Sequence, residues 1–155
     1  MNVEELIAKL GLSPLQMEGG YFAETYRSAD GFSTAIYYVL TPDTFSAMHR
    51  LASDEVFHFY SGDPVEMLRL FPDGSHEIVM IGSGILAGQR PQLVVPKGVW
   101  QGCRLVPGGE YALMGTTVAP AFRCEDYEHG DPDSLITEYP DCAELITALS
   151  TPRRT

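Results

Sequence analysis

The chain has 155 residues, 45% of them apolar and 20% charged, which suits one globular core and excludes a disordered chain. Its 10 Lys and Arg against 21 Asp and Glu give a formal charge of −11, which repels nucleic-acid phosphates and anionic membranes. No apolar run approaches the ~18 residues that span a bilayer, and the N-terminal residues do not resemble a signal peptide. We therefore expect a cytoplasmic protein without nucleic-acid or membrane partners.

The predicted elements begin with a short helix and continue as strands. Asn2 is a suitable N-cap and Gly11 a suitable stop, so a helix is predicted between them. Short apolar runs separated by turn residues then predict strands at residues 21–27, 33–40, 46–51, 55–61, 65–71, 77–81, 92–95, 101–105 and 111–118. Evenly spaced short strands are typical of one all-β sandwich or barrel.

The C-terminal part of the chain has a different pattern. Asp141 is expected to cap a last helix that reaches about Leu149. The three cysteines, Cys103, Cys124 and Cys142, form no close pair and are expected to be reduced thiols. We see no linker, so residues 1–155 are predicted to form one domain with its core at about residues 15–130.

Residues 49–62 carry the richest set of chemically useful side chains. His49, Glu55, His58 and Tyr60 lie within twelve residues on two adjacent predicted strands. Facing strands can bring such side chains within a few ångströms of one another. Because apolar residues surround Glu55, an inward carboxylate with a raised pKa is expected there, which suits general-base catalysis.

Residues 94–101 form the second notable stretch. A predicted strand ends in Pro96-Lys97-Gly98, and the next strand carries Trp100 and Gln101. An aromatic ring and an amide beside a strand end are side chains that can contact a small ligand.

These two stretches resemble the two motifs of the cupin superfamily. His49, Glu55 and Gly62 fit the first motif, and Pro96 and Gly98 fit the second at the right distance downstream. Residues 18–28, 54–64 and 124–130 are similar to the signatures of one small cupin subfamily of unknown function. The resemblance implies a double-stranded β-helix, or jelly-roll barrel, with short helices at both ends. It also implies a homodimer and a pocket in the barrel mouth.

The chain departs from the metal-binding cupins at two positions. Leu51 stands where they have their second His, and Gln101 stands where they have their last. A divalent metal held by His49 and Glu55 alone would bind weakly, and His58 would join them only if a bulge turned it inward. We therefore expect no essential cofactor, and a weakly held metal is the alternative.

Three functions are compatible with these residues. The first is a metal-independent isomerase or epimerase acting on a sugar or nucleotide-sugar, with Glu55 or His49 as the base and His58 or Tyr60 as the acid. The second is a non-catalytic module that binds or senses a metabolite. The third is a metal-dependent dioxygenase or isomerase that uses His49 and Glu55.

Arg27 is the predicted anchor for an anionic group of the ligand, and an ion pair with Glu24 is its alternative role. The other candidate binding residues are side chains that either contact the ligand or pack as plain bulk in the core: Tyr21, Tyr37, Trp100 and Gln101.

Overall fold

The structure is a computed structural model that describes residues 2–150. Its strands are β1 (Ser13–Pro14), β2 (Tyr21–Arg27), β3 (Thr34–Leu40), β4 (Phe45–Leu51), β5 (Asp54–Gly62), β6 (Val65–Leu70), β7 (His76–Ile81), β8 (Gln92–Val95), β9 (Trp100–Leu105), β10 (Ala112–Ala119) and β11 (Tyr127–His129). The helices are α1 (Val3–Leu10), α2 (Pro132–Glu138) and α3 (Ala143–Ala148). None of the helices within residues 2–150 is long and apolar enough to cross a membrane.

The strands form two antiparallel sheets. One has the order β1-β2-β3-β10-β5-β8, and the other has the order β11-β4-β9-β6-β7. Neighbours in each sheet are mostly distant in sequence, as in a jelly roll. The predicted all-β jelly-roll fold is therefore confirmed, and each of the predicted strands is present to within about a residue at its ends.

The predicted start and end of the first helix are also confirmed. Asn2 accepts a hydrogen bond from the backbone N–H of Glu5 in a capping box, and Gly11 ends α1 with φ of 66°.

The turn between β6 and β7 is a tight hairpin in which the N–H of Phe71 donates to the carbonyl of Ser75.

The C-terminal prediction is wrong in its start point. Asp141 lies inside a short 3-10 turn and caps neither α2 nor α3. An additional helix, α2, precedes this turn, and its N-cap is Asp131, which accepts from the N–H of Ser134. The dipeptide of Asp131 and Pro132 is a helix-start signal that sequence analysis passed over.

Apolar side chains form three layers around the sheets. The first fills the barrel between the sheets and includes Tyr38, Phe57, Met67, Leu93 and Met114. The second lies between the five-stranded sheet and the C-terminal helices and includes Met48, Leu68, Trp100, Ile146 and Leu149. The third lies under α1 on the outer face of the other sheet and includes Leu6, Leu12 and Val39. The helices thus cover the outer faces, and the barrel interior is left to hold the polar residues described next.

Candidate active site

Glu55 points into the barrel because of strand alternation. In β5, Glu55 and Phe57 are buried on the inner face, whereas Val56 and His58 lie on the outer face. Glu55 pairs with Val118 of β10 near the end of both strands, and its side chain is 7% exposed. Glu55 therefore lies on the inner face of β5, as expected for an inward carboxylate.

Gln101 lies directly beside Glu55. The Nε2 atom of Gln101 donates to Oε1 of Glu55 at 2.9 Å, and the Gln101 side chain is 1% exposed. Its own Oε1 has no hydrogen-bond partner within the described part of the chain. The amide therefore holds the carboxylate in one orientation and leaves a buried acceptor next to it.

His49 lies opposite Gln101 in the neighbouring strand and is 1% exposed. Its Nδ1 is 2.7 Å from the carbonyl oxygen of Ala47, and since a carbonyl only accepts, Nδ1 carries a proton. Its ring stacks on Tyr127 with 5.1 Å between the ring centres. This leaves Nε2 as the atom that faces the rest of the site.

Glu18 is the site residue that sequence analysis missed. Its Oε1 is 3.6 Å from Nε2 of His49, and its Oε2 accepts from the Ser46 hydroxyl at 2.8 Å. Glu18 comes from the connection between β1 and β2, far from Glu55 in sequence. Gly19 and Gly20, directly after Glu18, could have indicated its role, because consecutive glycines indicate an unusual backbone path.

The loop that carries Glu18 is held closely against β4. The carbonyl of Glu18 accepts from the N–H of Ala47 at 2.8 Å, and the carbonyl of Gly19 accepts from the Tyr38 hydroxyl at 2.6 Å. Gly19 has φ of 104°, and a Cβ atom there would collide with the backbone carbonyl of Phe45. Only glycine fits this position without moving the loop.

Gly19→Ala is therefore expected to lower the free energy of unfolding by roughly 2 kcal/mol more than Gly31→Ala does. Gly31 is the matched control, since its φ is 75° but a Cβ atom there would meet nothing within 4 Å. Urea unfolding of both variants measures the difference. Equal losses would show that the close approach to Phe45 costs nothing.

Glu18 and Glu55 line a narrow cavity of about 60 Å³ at one end of the barrel. Its other lining residues are mostly apolar: Leu15, Met17, Phe22, Glu24, Thr34, Ile36, Leu51, Thr116, Val118 and Phe122. Wider clefts of about 310, 350 and 380 Å³ lie elsewhere on the surface, and neither Glu18 nor Glu55 lines them. The small cavity is the one that the buried Glu55 lines, which makes it the candidate active site.

The environment of Glu55 raises its pKa from 4.5 to about 7. Burial is the largest cause, and the negative charge of Glu18 adds to it. His49 and the hydrogen bonds from Gln101 and Thr116 act in the opposite direction but do not cancel the effect. A carboxyl group with this pKa can both accept and release a proton near neutral pH.

His58 and Tyr60 lie outside this site. The Nε2 of His58 is 3.1 Å from the hydroxyl of Thr117 on the outer face, and Tyr60 is 54% exposed and meets Tyr37 edge-on. The register shift falls between Phe59 and Ser61, after His58, so alternation keeps His58 on the face opposite Glu55. Tyr60 lies at the shift and contacts Tyr37 of the cluster under α1. The prediction that one of them is the acid partner of Glu55 is corrected accordingly.

The remaining candidates pack against other elements. Tyr21 and Tyr37 join the cluster under α1, and Trp100 belongs to the layer under the C-terminal helices. The guanidinium of Arg27 binds Glu24 at 2.7 Å, so its alternative role as an ion pair is the one observed. Of the predicted ligand contacts, Gln101 alone adjoins Glu55.

A metal centre with three His and one Glu does not fit these residues. Leu51 offers no ligand atom, and Gln101 offers an amide oxygen in place of an imidazole nitrogen. Across residues 2–150, no three His, Cys, Asp or Glu side chains are grouped so that they could hold a metal ion. We therefore derive no chemical step through a metal.

A jelly-roll barrel whose β4, β5 and β9 direct polar groups inward has the architecture of a cupin. The sequence agrees, since residues 4–130 match the Cupin_5 family, described as Cupin superfamily (DUF985). The chain belongs to this family, and the resemblance found in the motifs is confirmed.

The chain is similar to several proteins without an assigned function. The structure of protein SO0799 from Shewanella oneidensis has 30% identity and a TM-score of 0.91, with 99% of each chain covered. A hypothetical protein from Leishmania major has 27% identity and a TM-score of 0.90, with 98% of this chain and 100% of that one covered. An uncharacterized protein of Saccharomyces cerevisiae, YML079W, is 29% identical over 71% of this chain, and the match spans 66% of the yeast protein.

Proposed function

We propose that this cupin is a metal-independent acid–base enzyme, an isomerase or epimerase that moves a proton next to a carbonyl group of a small substrate. The observation that carries the proposal is Glu55, a carboxyl group with a pKa of about 7 at an apolar cavity. A base with a pKa near the working pH is most effective in proton transfer. Exclusion of water by the apolar walls strengthens its interaction with a bound substrate.

In this proposal Glu55 takes the proton from the carbon beside the carbonyl, and the electron pair left on that carbon forms an enolate. The amide of Gln101 keeps the carboxylate oriented through its 2.9 Å hydrogen bond. Glu18, which shares the cavity and adjoins Nε2 of His49, is the second group that can hold or return a proton. Return to the original face regenerates the substrate, whereas return to the other face or another carbon gives an isomer.

The cavity supports a small substrate and not a whole nucleotide-sugar. A volume of about 60 Å³ holds a few water molecules or a short chain. Arg27 is paired with Glu24, so its guanidinium is not a free anchor for a phosphate. Among more distant cupins, the oxalate decarboxylase of Bacillus subtilis and the nucleoside dehydratase Pac13 of Streptomyces share the fold at 13% and 20% identity, with TM-scores of 0.61 and 0.53. That likeness concerns the fold alone.

The test is proton exchange catalysed by the full chain. Small aldoses, ketoses and amino ketones are incubated with it in D₂O, and NMR follows deuterium at the carbon beside the carbonyl. At least one compound is expected to exchange. Its rate should rise about tenfold per pH unit below 7 and level off above 7, because only the ionised form of Glu55 accepts a proton. Exchange without this pH dependence, or no exchange across the panel, would count against the proposal.

The homodimer implied by the cupin resemblance remains a prediction. Native mass spectrometry of the purified protein is expected to show twice the 17.0 kDa chain mass. A mass of one chain at micromolar concentration would contradict it.

A further inference from the structure

The charged groups that line the cavity are all acidic. Its lining includes three carboxylates, those of Glu18, Glu24 and Glu55, and none of the lining residues in the described structure is basic. Both oxygens of Glu24 bind Arg27, at 3.1 and 2.7 Å, so the charge of this carboxylate is balanced by a guanidinium. Glu18 and Glu55 are left facing the same space, and Nε2 of His49 lies 3.6 Å from Oε1 of Glu18.

Two of the hydrogen-bond donors beside the cavity are already used within the protein. The Nδ1 proton of His49 is donated to a backbone carbonyl, and the Nε2 protons of Gln101 face Glu55. The Oε1 atom of Gln101 is buried and has no partner in the part of the chain described. A buried acceptor without a donor is costly, and this one belongs to the side chain that hydrogen-bonds Glu55 at the cavity wall.

We propose that the cavity recognises a small molecule through a primary ammonium group, held between the carboxylates of Glu18 and Glu55. This inference rests on the proposed function and names its substrate class as a small carbonyl compound that carries an amine. An ammonium group provides three donors and one positive charge, which match the two carboxylates of Glu18 and Glu55. Phe22 and Phe122 in the cavity wall also favour a cation and cover the hydrocarbon part of the ligand.

The same charges exclude the anionic ligand predicted from the sequence. A phosphate or carboxylate in the cavity would face Glu18 and Glu55 without a basic residue in the lining. The nearby guanidinium of Arg27 is bound by Glu24 and by the carbonyl of Phe122 at 3.1 Å. The ligand is therefore expected to be a cation.

Three probes of nearly equal size distinguish the effect of ligand charge on binding from the effect of ligand shape: butylammonium, butan-1-ol and butyrate. Calorimetry or ligand-observed NMR with the wild-type chain at pH 8 is expected to give the tightest binding for butylammonium. Butan-1-ol should bind at least about tenfold more weakly, and butyrate should not bind measurably. Butyrate binding as tightly as butylammonium would overturn the proposal without the need for any variant.

Glu18→Gln is expected to weaken butylammonium binding at least about tenfold, because it removes one of the two charges while keeping the side-chain shape. Glu110→Gln is the matched control, since Glu110 is exposed in the loop before the opposite end of β10 and should leave binding unchanged. Unchanged affinity in Glu18→Gln would contradict the proposed contact.

Three further outcomes distinguish the alternatives. Zn²⁺ that displaces butylammonium at micromolar concentration would identify a metal site and overturn the ammonium proposal. Binding of butylammonium without proton exchange on any carbonyl compound would support the ammonium site and contradict the proposed enzyme. Proton exchange on neutral sugars, together with equal binding of butan-1-ol and butylammonium, would support the enzyme and overturn the ammonium site.

Discussion

Glu55→Gln is expected to lower turnover at pH 8 by at least about 100-fold, because the amide keeps the shape of the side chain but cannot accept a proton. Gln101 can still hydrogen-bond the new side-chain oxygen, so the geometry of the site should be retained. At pH 6, where Glu55 is mostly protonated, ligand affinity is expected to be nearly equal in the variant and the wild type. Proton exchange measures turnover, and calorimetry measures affinity.

Glu110→Gln again serves as the control, with turnover and affinity expected to match the wild type. The informative contrary result is a Glu55→Gln variant that loses ligand binding at pH 6 but turns over each bound ligand at the normal rate. That result would make Glu55 a binding residue and would remove the base from the proposed mechanism.

The same substitution is expected to stabilise the fold at pH 8 by about 3 kcal/mol. The pKa of Glu55 is about 7 in the folded chain against 4.5 as its ordinary value. Between these two pH values the folded chain holds a proton that the unfolded chain has already released, so wild-type stability falls as the pH rises through this window. Each pH unit corresponds to about 1.4 kcal/mol. Glutamine does not titrate and avoids the loss.

Urea unfolding at pH 4.5 and pH 8 tests this expectation. The difference between Glu55→Gln and the wild type should be small at pH 4.5 and fully developed at pH 8. In thermal unfolding it should appear as an upward shift of roughly 6 to 12 °C at the higher pH. A difference that is the same at both pH values would show that Glu55 titrates normally in the folded chain. Glu110→Gln should follow the wild type at both.

Local patterns predicted most of the fold because the forces that set them are local. The runs at residues 21–27 and 92–95 coincide with β2 and β8, since their lengths follow from apolar residues bounded by turn residues. Gly11 ends α1 as expected, because its left-handed backbone conformation is open to glycine. The last helix, α3, lies where it was expected, but a 3-10 turn holds Asp141 before it, so Asp141 is not its cap. The helix that Asp131 caps, α2, was missed.

Nearness in sequence was a poor guide to the acid partner of Glu55. His58 and Tyr60 are three and five residues away, yet they project from the opposite face of β5. Side-chain alternation along a strand predicts this from the sequence, and only a bulge between Glu55 and His58 would place both side chains on one face. The register shift of β5 lies at Tyr60, between Phe59 and Ser61, and therefore does not turn His58 inward.

The sequence by itself determined the strands, the cupin motifs and the inward position of Glu55, because each depends on alternation and spacing within short segments. The tertiary structure alone decided the partners of Glu55. Glu18 reaches the cavity through a loop folded back on β4, and Gln101 arrives from β9 in the other sheet. The raised pKa of Glu55 also depends on this closure, because burial and the charge of Glu18 exist only once distant segments have met.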